Sequence, residues 1–144
     1  MREGGRRIGF DVVSLDGRRA PLARAGAGGP SVSRYGVDVA AFEALGVAAL
    51  ESALTAPDRL LVIDEIGKMK LFSERFIAAL EQVFDPASPH PILGTIMRGR
   101  HPIADEIRRG PDVTVIEVTR KNRGSLPERL AARLSQGGSG FDAR

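Results

Sequence analysis

The stretch Arg59-Leu60-Leu61-Val62-Ile63-Asp64-Glu65 constrains the fold more than any other part of the chain. A strand with one face in water alternates apolar and polar residues. A short, almost continuously apolar strand, here residues 60 to 64 with only Asp64 at its end polar, is what is expected when helices cover both of its faces. The flanking sequence supplies helices. Asp38 can cap one whose apolar residues Phe42, Leu45, Ala49, Leu50 and Leu54 recur at helical spacing, with Pro57 ending it. Ser73 can cap a second, with Glu74 in its first turn and Phe76, Ile77, Leu80, Val83 and Phe84 on one face.

The same alternation continues downstream. Pro91 to Met97 reads as another buried strand, Pro102 opens a short helix carrying Ile103 and Ile107, and Asp112 to Thr119 reads as a third core strand. A last helix begins with the capping-box pair Ser125 and Glu128 and carries Leu126, Leu130 and Leu134. At the front, the β-favouring runs Ile8 to Leu15 and Arg19 to Ala23 flank Asp16-Gly17, a hairpin signal, and Gly26 to Ser31 reads as a flexible loop. The expected fold is therefore α/β: a parallel sheet with flanking helices behind an N-terminal β-hairpin. Residues 1–136 form one domain in this reading, and 137–144 a flexible tail.

Ligands of open parallel sheets bind beyond the carboxyl ends of the strands. Asp64 and Glu65, Thr95 to Arg98, and Thr119 to Arg123 all emerge there, which gathers scattered polar residues into one candidate site.

Composition limits what that site serves. At 42% hydrophobic and 27% charged, the chain is a globular protein, and no apolar run approaches the roughly 18 residues of a membrane span. With no cysteine there is neither a disulfide scaffold nor a thiolate metal site, and the expected location is the cytoplasm. The net charge of +3 invites a nucleic-acid partner, but the cations are scattered and aromatics make up only 5%, too few for stacking platforms. The basicity reads as a solvated surface, so no nucleic-acid partner is expected. His90 and His101 flank prolines without metal-ligand spacing.

A buried strand can deliver carboxylates to a fixed point because neighbours hold its backbone. Asp followed by Glu at such a strand end is the Walker B arrangement of P-loop nucleotide hydrolases: the Asp holds Mg2+ and the Glu polarises the attacking water. The same string also describes an ordinary strand leaving the core, its acids solvated or pairing with Lys68 or Lys70.

The segments VIDEIGKMKLFS, GRRIGFDVV, ILGTI and VIEVTRKNR, in this order and spacing from about Gly4 to Leu134, resemble the THEP1-type nucleoside-triphosphatase family. The resemblance implies an additional-strand, RecA-like P-loop fold that hydrolyses ATP, GTP and other nucleoside triphosphates with Mg2+. It makes Asp64 the magnesium-side acid and Glu65 the catalytic base. It puts Lys68, Thr95, Asn122 and Arg123 near the nucleotide: Lys68 and Arg123 toward phosphate charge, Asn122 toward the base, Thr95 toward the terminal phosphate. The family string usually has an acid where this chain has Lys70. Thr95 and Asn122 also read as strand-end and turn-shaping residues, and Lys68 as a solvated cation.

No Gly-rich turn closed by Gly-Lys-Ser/Thr occurs in the sequence. Family members carry that loop ahead of the segment with which this chain starts, on a strand lying between the one at 91–96 and the one at 112–118. The expectation is an N-terminally incomplete, truncated domain, from a misassigned start or a gene fragment, with a gap between two strand edges. The alternative is a non-catalytic remnant or nucleotide-binding module. The sequence leaves the oligomeric state open.

Overall fold

The computed structural model describes residues 1–56 and 59–135. The tail expected at 137–144, the domain's expected last residue Gln136 and the helix stop at Pro57 lie outside the described residues.

The front of the chain builds more sheet than a hairpin. Strands β1 (Arg2–Glu3) and β2 (Arg6–Arg7) pair in a small ribbon of their own. Strands β3 (Gly9–Val13) and β4 (Arg19–Ala25) pair antiparallel around the expected Asp16-Gly17 turn, where Gly17 takes a φ of 85°. Two further short strands, β5 (Ser31–Val32) and β6 (Tyr35–Val37), extend this into a four-stranded sheet of order β3-β4-β6-β5. Strands of two and three residues are too short for any period to show in sequence. The Gly26 to Ser31 loop survives only in part, since Ser31 enters β5. Gly36 is obligatory in β6: a Cβ there would sit 2.2 Å from the carbonyl oxygen of Ala27.

The helical run that follows is continuous but not uniform. Asp38 caps it as expected, its carboxylate accepting the Ala41 N–H at 2.9 Å. Helix α1 (Val39–Phe42) passes into a π-helical segment, Glu43–Val47, before α2 (Ala48–Leu54) resumes the normal pitch. Phe42 is 3% exposed and meets Phe76 edge-on, with ring centroids 5.2 Å apart. Gly46 permits this, because a Cβ there would stand 2.7 Å from the Phe42 ring. Ser73 ties the helices together: its hydroxyl accepts the Phe76 N–H at 2.9 Å, capping α3 (Glu74–Val83), and donates to the Glu43 carboxylate at 2.6 Å.

The parallel pair is β7 (Leu61–Ile66) and β8 (Ile92–Ile96), linked through α3. Ile63, Ile66, Leu80, Val83 and Val47 form the centre of the core. Side chains of this kind each stabilise by about 1.5–3 kcal/mol when fully buried. Two expectations need correction here. Helices cover only one face of β7, because Val62 is 54% exposed while Leu61 and Ile63 are buried. The third core strand, Asp112 to Thr119, carries no ladder bonds. Its β-branched residues favour a strand, but a strand exists only against a partner edge, and an open cavity separates this segment from β8.

Helix α4 (Pro102–Arg109) starts on Pro102 as expected, and α5 (Leu126–Ser135) closes the described chain. The hydroxyl of Ser125 donates to the Asn122 carbonyl at 3.4 Å. Among the described residues, no helix is long and apolar enough to cross a membrane.

Candidate functional site

The tip of β7 departs from regular pleating at the two acids. Ile63 pairs with Gly94 and Ile66 with Ile96, so Asp64 and Glu65 together stand opposite the single residue Thr95. This is a β-bulge, a device that re-aims side chains at strand ends. In a regular strand consecutive residues face opposite sides, one of them toward the core. Here Ile63 and Ile66 stay buried, and both carboxylates between them are exposed.

Neighbours hold the bulge from two sides. The Thr95 hydroxyl donates to a carboxylate oxygen of Asp64 at 2.8 Å. From the other side, the Lys70 ammonium donates to the backbone carbonyls of Asp64 and Glu65, each at 2.8 Å. Burial pulls the Lys70 pKa below the usual lysine range, and the nearby charges of Glu65 and Asp64 oppose that pull. Glu65 leans against the next turn of chain: a Cβ on Gly67 would lie 3.0 Å from its carboxyl carbon.

The remaining sequence-derived residues divide. Thr95 joins Asp64. Lys68 is exposed and lines a separate hollow of about 320 Å³ with Ser31, Ser33, Leu71, Phe72 and His101. Both ends of the Asn122 amide are engaged by its own loop: Oδ1 accepts the Thr119 N–H at 2.7 Å and Nδ2 donates to the Glu117 carbonyl at 2.9 Å. Arg123 projects an exposed side chain from the same turn, whose backbone its N–H pins to the Thr119 carbonyl at 3.0 Å. Arg98, beyond β8, reaches across to Glu117 at 2.9 Å.

Between β8 and residues 113–118 lies an open cavity of about 810 Å³, walled by Ile92, Ile96, Val115 and Ile116 and reaching Thr95 and Glu117. Neighbouring strands stand about 4.8 Å apart, residues rise about 3.3 Å along a strand, and packed layers are about 10 Å thick. Each strand residue thus fills roughly 160 Å³, and the cavity has the volume of about five. The two segments do not pair across it.

Among the described residues, no three His, Asp or Glu side chains converge to cage a metal ion. Mg2+ asks for less: it keeps several waters and takes one or two carboxylates together with substrate phosphates. An exposed Asp64 carboxylate with the Thr95 hydroxyl beside it suits that demand, and the exposed Glu65 carboxylate stands next to it.

A family model described as NTPase matches residues 1–131. The chain is 41% identical over 135 residues to "Nucleoside-triphosphatase THEP1" of Thermotoga sp. (strain RQ2), covering 93% of this chain and 76% of that protein. It is 46% identical over 139 residues to the human "Cancer-related nucleoside-triphosphatase", covering 88% and 72%. The crystal structure of THEP1 from the hyperthermophile Aquifex aeolicus superposes with a TM-score of 0.80 at 32% identity, over 89% of this chain and 77% of that one.

Proposed function

Because this chain belongs to the nucleoside-triphosphatase family, we propose that it hydrolyses the terminal phosphate of nucleoside triphosphates, ATP and GTP among them, in the cytoplasm and with Mg2+. The observation that carries the reading is the bulge, which leaves Asp64 and Glu65 both exposed at the tip of β7 with Thr95 bonded to Asp64. Asp64 is the residue that would hold Mg2+, whose chemistry is to neutralise charge on the terminal phosphates. Thr95 keeps the Asp64 carboxylate in one orientation. Glu65 orients the attacking water and takes its proton as the new P–O bond forms and the bond to the diphosphate breaks.

The phosphates also need cations. This reading gives phosphate charge to the exposed cations Arg123 and Lys68. Asn122 shapes the Arg123 turn through both ends of its amide, and its second N–H and second lone pair remain for the nucleotide.

Phosphate release from ATP and GTP with Mg2+, measured beside nucleotide binding by calorimetry, tests the proposal. Glu65→Gln is expected to lower turnover by about 10²–10⁴-fold, the usual contribution of a general base, and to leave binding nearly unchanged. Binding without turnover in the unmutated chain would favour a nucleotide-binding module. Turnover unaffected by Glu65→Gln would remove Glu65 from the mechanism.

A further inference from the structure

We propose that Lys70 is the positioning residue of the acid pair: its ammonium acts on the backbone of Asp64 and Glu65 and so fixes where their carboxylates point. The inference rests on the role given to those acids above. Its basis is the bulge. Ladder pairing passes from Ile63 to Ile66, which leaves the two residues between them without Cα partners on β8. Their carbonyls are open to donors from outside that ladder. The Lys70 ammonium supplies both, at 2.8 Å each, and an ammonium has three protons to give.

The reach is set by the chain that follows. Lys70 N–H donates to the Gly67 carbonyl at 3.0 Å, and the Lys70 carbonyl accepts the Ser73 N–H at 3.1 Å. Residues Lys70–Phe72 form a single 3-10 turn, closed by the same Ser73 whose side chain caps α3 and bonds Glu43. The backbone carrying Lys70 is therefore anchored to the helical layer, and its half-buried side chain connects that layer to the strand tip. A cation near two acids would ordinarily pair with a carboxylate. This one takes the carbonyls and leaves the carboxylates outward, where a hydrated cation and its phosphates can reach them.

Two variants separate this role from a general structural one. Lys70→Met keeps the apolar stem and removes every donor; Lys70→Arg restores charge and donors on a longer side chain. The first readout needs no activity: carbonyl ¹³C shifts of residues 64 and 65 in the full chain are expected to move in Lys70→Met and to return toward their original values in Lys70→Arg. The second is steady-state phosphate release, where Lys70→Met is expected to lower kcat by about 10–100-fold with KM for ATP within about threefold, because displacement of a catalytic group by about 1 Å costs about 10² in rate. Lys70→Arg is expected to recover most of that loss. Unmoved carbonyl shifts in Lys70→Met would overturn the proposal whether or not the chain turns over. So would moved shifts with unchanged kcat, or a kcat loss that Lys70→Arg leaves uncorrected. If the unmutated chain releases no phosphate, the fault lies with the proposed reaction, and the carbonyl shifts alone decide the role of Lys70.

Discussion

Replacing Gly67 by alanine should impair catalysis while leaving the fold intact. A Cβ at this position would lie 3.0 Å from the Glu65 carboxyl carbon, 3.2 Å from its Oε1 and 3.3 Å from its Cγ. Ordinary contact begins near 3.4 Å, so the carboxylate must retreat by about 0.4 Å, and at about 10²-fold per ångström that predicts a three- to tenfold loss of turnover. The crowding falls on the end of a flexible exposed side chain, which can move away. Gly67 is not among the glycines with positive φ, so alanine fits the backbone and should recover about 0.4–1 kcal/mol from the unfolded state. Net stability should therefore stay within about 1 kcal/mol of the parent. The assay is phosphate release alongside thermal unfolding of the same preparations. Unchanged turnover would mean that the Glu65 carboxyl does not work from this position. A loss of more than about 2 kcal/mol would place the crowding on the backbone instead.

Thr95→Val keeps the β-branched shape and removes the hydroxyl that Asp64 accepts; Mg2+ affinity, titrated through phosphate release, should fall about three- to tenfold for the loss of roughly 1 kcal/mol of hydrogen bonding. Gly46→Ala puts a methyl 2.7 Å from the buried Phe42 ring, which has nowhere to move, so chemical denaturation should register a loss of about 1–3 kcal/mol. The Arg75 guanidinium holds the Glu51 carboxyl below its usual pKa of 4.5. A depressed carboxylate contributes stability above that value and loses it as pH falls through the folded pKa, so the melting temperatures of the parent and Glu51→Gln should differ at pH 7 and converge as pH is lowered past the folded pKa, below 4.5.

What the sequence made legible was local. The Asp38 and Ser73 caps, the Pro102 helix start and the two apolar runs at β7 and β8 each depend on a few adjacent residues, and all appear where expected. Pairing was not legible. The bulge exists because β7 and β8 are out of step between Ile63 and Ile66, a relation across some thirty residues that no window along the chain contains. Residues 112–119 have the composition of a strand and lack a neighbouring edge, so propensity alone misassigned them. Asp64 and Thr95 were named separately at two strand ends, and the fold brings them into a hydrogen bond. Lys70 was legible as a departure from the family string and as a partner for the two carboxylates; its bonds to their backbone carbonyls instead needed coordinates. The Asn122 side chain bonds its own loop at both ends of the amide, as its turn-shaping reading expects.

In the proposed mechanism a bulge aims two adjacent carboxylates at one metal-bound triphosphate. Anomalous scattering from crystals grown with Mn2+ and a non-hydrolysable ATP analogue locates that ion directly. The account predicts an ion touching the Asp64 carboxylate, directly or through one water, on the Thr95 side of the strand tip, with the terminal phosphate facing Glu65. An ion bound elsewhere, or a strand tip that sends Glu65 into the core, would contradict it.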